Sequence, residues 1–337
     1  MVIIPDISHM KTEAWCWHEK GEPTGLTLES VGLGDLAADE VLVENRIISL
    51  NPVDWKLIEW GHPEWKDGHI PGVDGMGIIT ALGKNVHQLK KGMRVCYHAD
   101  LTRNGSFSRH TRMKANALMR VPDNCSDEDA AAFPCPSLTA WQAFQKTPSL
   151  KEKNVLVNSA GGSVGYFLTQ LLLKDGAHLA VTASEKHHEH LIRLGVQHAV
   201  DYRDPDWLQK LQEVRLAGFH AAFDMVSGEA ATQLAGLLDY YGHLVSVQDR
   251  VEKNPVAPFT TCISLHEIAL GAFHRFAGKE QIHELMSSGE QLLHAVGEGE
   301  YSLREQTFDT FENLPRHLAK MKKAHHDLKY LIRVSHP

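Results

Sequence analysis

No two of the five cysteines stand in a CxxC pair: Cys16, Cys96, Cys125, Cys135 and Cys262 are scattered, and their number is odd. That pattern indicates neither a zinc ribbon nor a disulfide framework; it suits a reducing compartment, and a cytoplasmic location is expected. No apolar run approaches the roughly 20 residues of a membrane span, and no secretory leader is visible. An excess of positive charge is missing too. The 34 Lys and Arg fall short of the 42 Asp and Glu, giving a formal charge of -8, which argues against a general nucleic-acid or lipid-surface binder. Internal repeats and low-complexity tracts are also absent.

What is present is a chain of 337 residues, longer than a typical domain of about 100–200 residues, so two domains are expected. Residues 1–9, MVIIPDISH, precede a second possible start at Met10, and the Ser8-His9-Met10 junction resembles an expression-tag remnant. The fold reading therefore begins at Met10. From there to about Val121 the signals are short and β-like, punctuated by Gly and Pro, as in an irregular β-rich domain. Ser126 followed by Asp127-Glu128-Asp129 reads as a helix start. Pro134 and Pro136 interrupt that segment, and a second helix is expected from near Ser137.

Strand and helix then alternate. Val155–Asn158, His178–Thr182, Ala199–Tyr202, Ala221–Val226 and His243–Val247 read as strands with helices between them. This βαβ rhythm demands a parallel sheet covered on both faces. Ile268–Phe273 is expected to add one more strand, and Tyr330–Val334 a closing one.

Between the first of these strands and its helix lies Ser159-Ala160-Gly161-Gly162-Ser163-Val164-Gly165. Ala160, Gly162 and Gly165 occupy the three fingerprint positions of G-x-G-x-x-G, with alanine first. The middle glycine lets backbone approach a pyrophosphate, and the last permits close packing of helix on strand. Free amides at the helix N-terminus stabilise phosphate charge. The flanking strand and repeated βα units supply the context that makes this a dinucleotide loop.

An NAD site usually places Asp or Glu at the end of the second strand, where it binds the ribose 2′-hydroxyl. Here that end reads Val181-Thr182-Ala183-Ser184-Glu185-Lys186. Thr182, Ala183 and Ser184 leave room, Ser184 can donate a hydrogen bond, and Lys186 adds positive charge. The expected cofactor is NADPH. Glu185 opposes this if a helical rotation aims it inward, and the bland alternative for Lys186 is a solvated helix residue.

Taken together, several segments resemble the zinc-free quinone oxidoreductase branch of the medium-chain dehydrogenase/reductases. Asn51-Pro52-Val53-Asp54 is similar to that branch's NPVD, and Pro71–Gly77 to its PGxExxG turn, with Asp74 for Glu. Ala130–Pro134 and Leu138–Trp141 are similar to AAxxP and LTAW, and Val155–Gly165 to VLVxxAxGGVG. Ala199–Arg203 is similar to VIDYR and Phe223–Gly228 to FDxVGG. His110 stands where the family has tyrosine, Met93 where it has Asp, and Leu328-Lys329 where it has a terminal GK.

The resemblance implies an α/β protein: a GroES-like β-barrel catalytic domain over 10–133 and 277–337, with a Rossmann NADP-binding domain over 134–276. It implies that Lys186 and Tyr202 flank the adenosine 2′-phosphate, that Asn51 and Thr139 lie near the nicotinamide, and that Val226, Ser246 and Gln248 border the cofactor. It also implies a homodimer. Zinc-dependent relatives take ligands from a Cys, a His and a second Cys; the matching places here hold Asn51, Val73 and Cys135. One ligand of three cannot hold a catalytic zinc, so no metal is expected. Cys135 reads as an exposed thiol open to a reactive enone, or as a small buried hydrophobe. His187, His188 and His190, and His325-His326, read as solvated rather than metal-binding.

Without a Lewis acid, the accessible chemistry is hydride transfer to an already electrophilic π-system, a quinone or an α,β-unsaturated carbonyl. Asn51 and Asp54 are the candidate catalytic residues: Asn51 as the polar group near the hydride, or as a brace for the turn at Pro52, and Asp54 as the residue that orders that turn, ahead of a role as an acid. Trp55, Trp60 and Trp65 read either as a flat cleft lining or as core. Two alternatives remain open: an alkenal double-bond reductase, and a non-catalytic NADPH binder, since zinc-free relatives include lens crystallins and RNA-binding proteins.

Overall fold

A computed structural model of the chain describes residues 7, 9–215, 217–324 and 328–335. The His325-His326 pair lies outside the described residues. Two compact units emerge, Met1–Cys135 with Gly271–Pro337, and Pro136–Leu270.

The first unit starts with a hairpin of β1 (Lys11–Cys16) and β2 (Thr27–Gly32). β3 (Glu40–Ser49) then runs into α1 (Pro52–Trp60). β4 (Asp74–Leu82), β5 (Arg94–His98), β6 (His110–Lys114) and β7 (Leu118–Arg120) follow, and then α2 (Asp127–Ala132). The acid run begins α2 as expected, because Ser126 accepts the Asp129 N–H and caps the helix.

α3 spans Pro134–Gln145, so the two prolines open the helix instead of delaying it. A proline in the first turn lacks only an N–H that would have no partner there. α1 is a helix that its aromatic, weakly periodic sequence did not suggest. Pro52 at N1 and Asp54 at N3, whose Oδ2 accepts the Asn51 N–H at 2.7 Å, start it locally.

The second unit alternates β8 (Asn154–Asn158), α4 (Ser163–Asp175), β9 (His178–Thr182), α5 (His188–Leu194), β10 (His198–Val200) and α6 (Trp207–Val214). It continues with β11 (Phe219–Asp224), α7 (Gly228–Ala235), β12 (Leu238–Ser246) and β13 (Ser264–Glu267). The six strands are parallel, in the order β10-β9-β8-β11-β12-β13. Strand order reverses at β8, the place where an open sheet of this kind leaves its ligand crevice. One expectation fails. Ile268–Phe273 is not a strand: Leu270–Ala272 is a 3-10 turn leading into a short helix at Phe273–Phe276, and the sixth strand lies just before, at Ser264–Glu267. An apolar run alone does not separate strand from helix.

The chain returns to the first unit through α8 (Phe273–Phe276), α9 (Lys279–Gly297), β14 (Gln306–Thr310), α10 (Leu314–Lys323) and β15 (Lys329–Arg333). β15 closes against β3, completing a sheet of order β14-β15-β3-β4-β5-β7 with β6 also on β3. Its core joins Ile48, Leu50, Ile58, Phe107, Phe311 and Ile332. Among the described residues, no helix is long and apolar enough to cross a membrane.

Candidate functional site

In the second unit the predicted loop sits at the carboxyl end of β8. Ser159 takes a left-handed φ of 71°, uncommon for a residue with a side chain, and turns the chain toward α4. Thr182, at the end of β9, holds that turn from below. Its Oγ1 accepts the Ser159 N–H and its carbonyl accepts the Ala160 N–H, each at 2.9 Å. Thr182 donates to Asn158 Oδ1, and Asn158 Nδ2 donates to Asp224 Oδ1 at 2.6 Å. Asp224 Oδ2 accepts from the N–H groups of Val226 and Ser227. Three neighbouring strand ends are thus cross-braced by one polar chain. Burial pushes the Asp224 carboxyl above its ordinary value against these hydrogen bonds.

Gly165 packs as closely as its fingerprint position requires. Gly162 caps α4 with no side-chain partner, so the first-turn amides lack an internal acceptor from that side chain. A Cβ on Gly165 would lie 2.9 Å from the Ser159 carbonyl carbon and 3.0 Å from Ala160 Cα, and closer still to Ser159 O. Helix and strand touch there. A Cβ on Gly161 would lie 2.7 Å from His187 Cδ2, so an imidazole lies against the loop. Ala160 is buried, while Gly161, Gly162, Ser163 and Val164 are half-buried.

At the end of β9, Ser184 is half-buried, and Glu185 and Lys186 are exposed on a 3-10 turn. Tyr202 is 47% exposed just after β10. The nearby acid, Asp201, is bound side-on by Arg203, with Nε to Oδ1 at 3.0 Å and Nη2 to Oδ2 at 2.7 Å. That pairing holds the Asp201 carboxyl well below the usual carboxylate range. Arg203 and His187 were not singled out as site residues from the sequence, although each adjoins one that was. Of the remaining predicted residues, Thr139 is buried on α3, Ser246 is buried at the end of β12, and Val226 and Gln248 are exposed. His188 pairs with the Ala183 carbonyl and His190 with the Tyr166 hydroxyl, so neither is simply solvated.

In the first unit, Asn51 and Asp54 belong to a buried network. Lys329 Nζ donates to Asn51 Oδ1 at 2.6 Å and to the Leu50 carbonyl at 3.1 Å. Asn51 Nδ2 donates to Asp74 Oδ2 at 2.9 Å and to the Ser49 carbonyl at 3.3 Å. Asp54 accepts the N–H groups of Asn51 and Val73. Burial pushes the Asp54 carboxyl up to about 8, assisted by the neighbouring Asp74, and holds the Lys329 ammonium below its usual range. The Asn51 amide is thus engaged on both sides within the fold. Trp65 is core, stacked on His69 and donating to the Leu101 carbonyl, whereas Trp60 is 59% exposed.

Comparison with known proteins accords with this geometry. Residues 37–123 match the family described as alcohol dehydrogenase GroES-like domain, and residues 163–290 match zinc-binding dehydrogenase. The chain is 30% identical over 247 residues to the trans-enoyl reductase tazE of Aspergillus terreus, covering 65% of this chain and 78% of that one. It belongs to the medium-chain dehydrogenase/reductase superfamily.

Within the superfamily it is also 30% identical over 186 residues to the chloroplastic quinone-oxidoreductase homolog of Spinacia oleracea, covering 52% of this chain. The chain spans 56% of that relative's length, and 14% of a far longer polyketide synthase of Mycobacterium tuberculosis. The crystal structure of a Pseudomonas syringae quinone oxidoreductase superposes with a TM-score of 0.83 at 19% identity, covering 96% of this chain and 99% of that one. The superfamily fold, a GroES-like unit with a Rossmann-like parallel sheet, is therefore that of this chain. At the places where zinc-dependent members have Cys, His and Cys, the structure offers an Asn51 amide already bound to Lys329 and Asp74, the hydrocarbon Val73, and Cys135. That set does not fit a zinc ion.

Proposed function

We propose that the protein is an NADPH-dependent reductase of quinones or α,β-unsaturated carbonyls that transfers hydride directly, without zinc. The observation that carries this reading is the acid-free end of β9. No carboxylate stands at Thr182-Ala183-Ser184, Lys186 is exposed just beyond Glu185 on the same 3-10 turn, and the acid after β10, Asp201, is paired with Arg203. A 2′-phosphate carries two negative charges that a strand-end carboxylate would repel. An exposed ammonium and a serine hydroxyl attract and orient it instead.

In this reading the backbone from Ala160 to Gly165, including Gly161, Gly162, Ser163 and Val164, takes the pyrophosphate, with α4 amides opposing its charge. Ser184, Lys186 and Tyr202 hold the adenosine phosphate end. Thr139, Val226, Ser246 and Gln248 border the rest of the cofactor. Asn51 and Asp54 fix the turn that shapes the nicotinamide surroundings, Asn51 through its hydrogen bonds to Lys329 and Asp74. When bound, the reduced nicotinamide supplies the hydride; the chain supplies position and a polar setting for the oxygen that gains charge. Small-molecule acceptors, a homodimer and a cytoplasmic setting complete the reading, with neither nucleic acid nor membrane as partner.

The similarity to a trans-enoyl reductase favours a carbon–carbon double bond as an alternative acceptor. The test is optical: NADPH oxidation with a simple quinone, then with an alkenal, each against NADH. Turnover with at least one acceptor, at least tenfold more efficient in kcat/KM with NADPH, is expected. NADPH binding without oxidation across a broad panel would make the chain a binder instead.

A further inference from the structure

Apart from the networks described above, the second unit carries a row of histidines. His220 on β11, His243 on β12 and His266 on β13 come from three neighbouring strands of the parallel sheet. The His220 and His243 rings meet edge to face with centroids 5.6 Å apart, and the His243 and His266 rings stack at 5.3 Å. Where they stack, His243 Nδ1 and His266 Nε2 are 3.1 Å apart.

Strand register explains the meeting. His243 pairs with Ser264 and Val245 with His266, so His243 and His266 are diagonal neighbours on one face. The ladder between β11 and β12 breaks between its Phe219–Leu238 and Ala221–His243 pairs, and β12 bulges there. Tyr241 takes a φ of 60° inside the bulge. A Cβ on Gly242 would lie 3.1 Å from the Asp239 carbonyl oxygen and 3.2 Å from that of His220, so the bulge is tightly packed. It brings Asp239 to the row, with Oδ1 3.8 Å from His220 Nδ1. That carboxylate oxygen is buried and has no hydrogen-bond donor.

We propose that His243 and His266, backed by Asp239, form a binding site for a divalent cation of the imidazole-preferring class, nickel(II) or copper(II). Three arguments carry it. Two imidazole nitrogens bound to one such ion at roughly 2.0–2.1 Å lie about 3 Å apart, and here the two nitrogens already stand at 3.1 Å. The rings are also held in the ligating form. Burial, and after it the neighbouring ring, lowers both His243 and His266 below the ordinary histidine range, so the neutral imidazole is favoured. The third argument is charge. Asp239 bears on His220 and His243 and keeps a buried oxygen that nothing satisfies, which a nearby dication would stabilise.

Lys153 beside Asp239 and Lys146 beside His266 oppose a dication by their charge, which lowers affinity without altering the geometry. The histidines and Asp239 are half-buried, so an ion can enter and water can complete its shell. The site shares no residue with the nucleotide loop or with the positions weighed above for a catalytic zinc. A bound ion would tie the edge strand β13 to β12. The proposal is independent of the reductase reading, because its test measures ion uptake and not turnover.

The full-length protein is stripped with a chelator and titrated with nickel(II) against a chromophoric chelator, so that only tight uptake registers. One ion per chain is expected. His243→Gln and His266→Gln should each weaken that uptake at least tenfold, and Asp239→Asn about tenfold, with the fold intact by circular dichroism. Should His243→Gln not fold, His266→Gln, on the edge strand, decides. His283→Gln, which changes an exposed ring on α9, should alter nothing. Absence of tight uptake in the unsubstituted protein, or uptake that survives His266→Gln, overturns the proposal.

Discussion

Gly165→Ala is expected to weaken nucleotide binding more than tenfold and to destabilise the second unit by about 1–3 kcal/mol. The added methyl cannot be absorbed by a side-chain rotation, because what it meets is backbone. Ser159 C lies 2.9 Å and Ala160 Cα 3.0 Å from the new atom, with Ser159 O nearer still. Relief requires α4 to move away from β8 or the Ser159 turn to open. Either movement strains the paired hydrogen bonds by which Thr182 holds Ser159 and Ala160. It also displaces the amides that face a phosphate, so affinity suffers beyond what stability alone loses. Fluorescence titration with NADPH checks the binding, and denaturant unfolding checks the stability. An alanine variant that binds and unfolds like the unsubstituted protein would show that helix and strand do not meet as closely as described.

Lys329→Met should destabilise the first unit by about 1–3 kcal/mol for each buried acceptor it leaves without a donor. Methionine fills a similar volume, so little of this is lost packing. The loss is polar. Leu50 O and Asn51 Oδ1 would be left buried without their Lys329 donor. Asn51 also orients Asp74, so the disturbance should extend to the Asp74–His98 pair at the ends of β4 and β5. The measurement is the urea midpoint of Lys329→Met against the unsubstituted protein, with unchanged slope. A midpoint shift equivalent to less than about 1 kcal/mol would mean that burial of the ammonium costs nearly what its contacts return.

Local patterns made much of the second unit readable. A parallel sheet announces itself by βα alternation, and the glycine turn lies within one strand, one loop and one helix. The same locality explains the misreadings. Pro134 reads as an interruption in the sequence, though proline suits a first helical turn. Ile268–Phe273 is apolar enough for a strand, yet the pairing partner of β12 is Ser264–Glu267. The unread parts of the candidate site are non-local. Asn51 and Lys329 meet only because β15 returns to lie beside β3. Asp74 and His98 meet through strand register, which no residue near either one specifies. His187 reaches Gly161 because α4 and β9 carry the chain back to the loop. Asn51 stands out in the sequence beside Pro52, but its partners are set by the return of β15 to β3.

The central claim is that backbone amides take a diphosphate while an exposed lysine at the end of the second strand welcomes one more phosphate. Dissociation constants for NADPH and NADH, measured side by side in the unsubstituted protein and in Lys186→Ala, test it most directly. The account predicts NADPH to bind at least tenfold more tightly, with most of that advantage lost in Lys186→Ala and NADH affinity unchanged. Equal affinity for the two nucleotides, or a preference that survives the substitution, would contradict it.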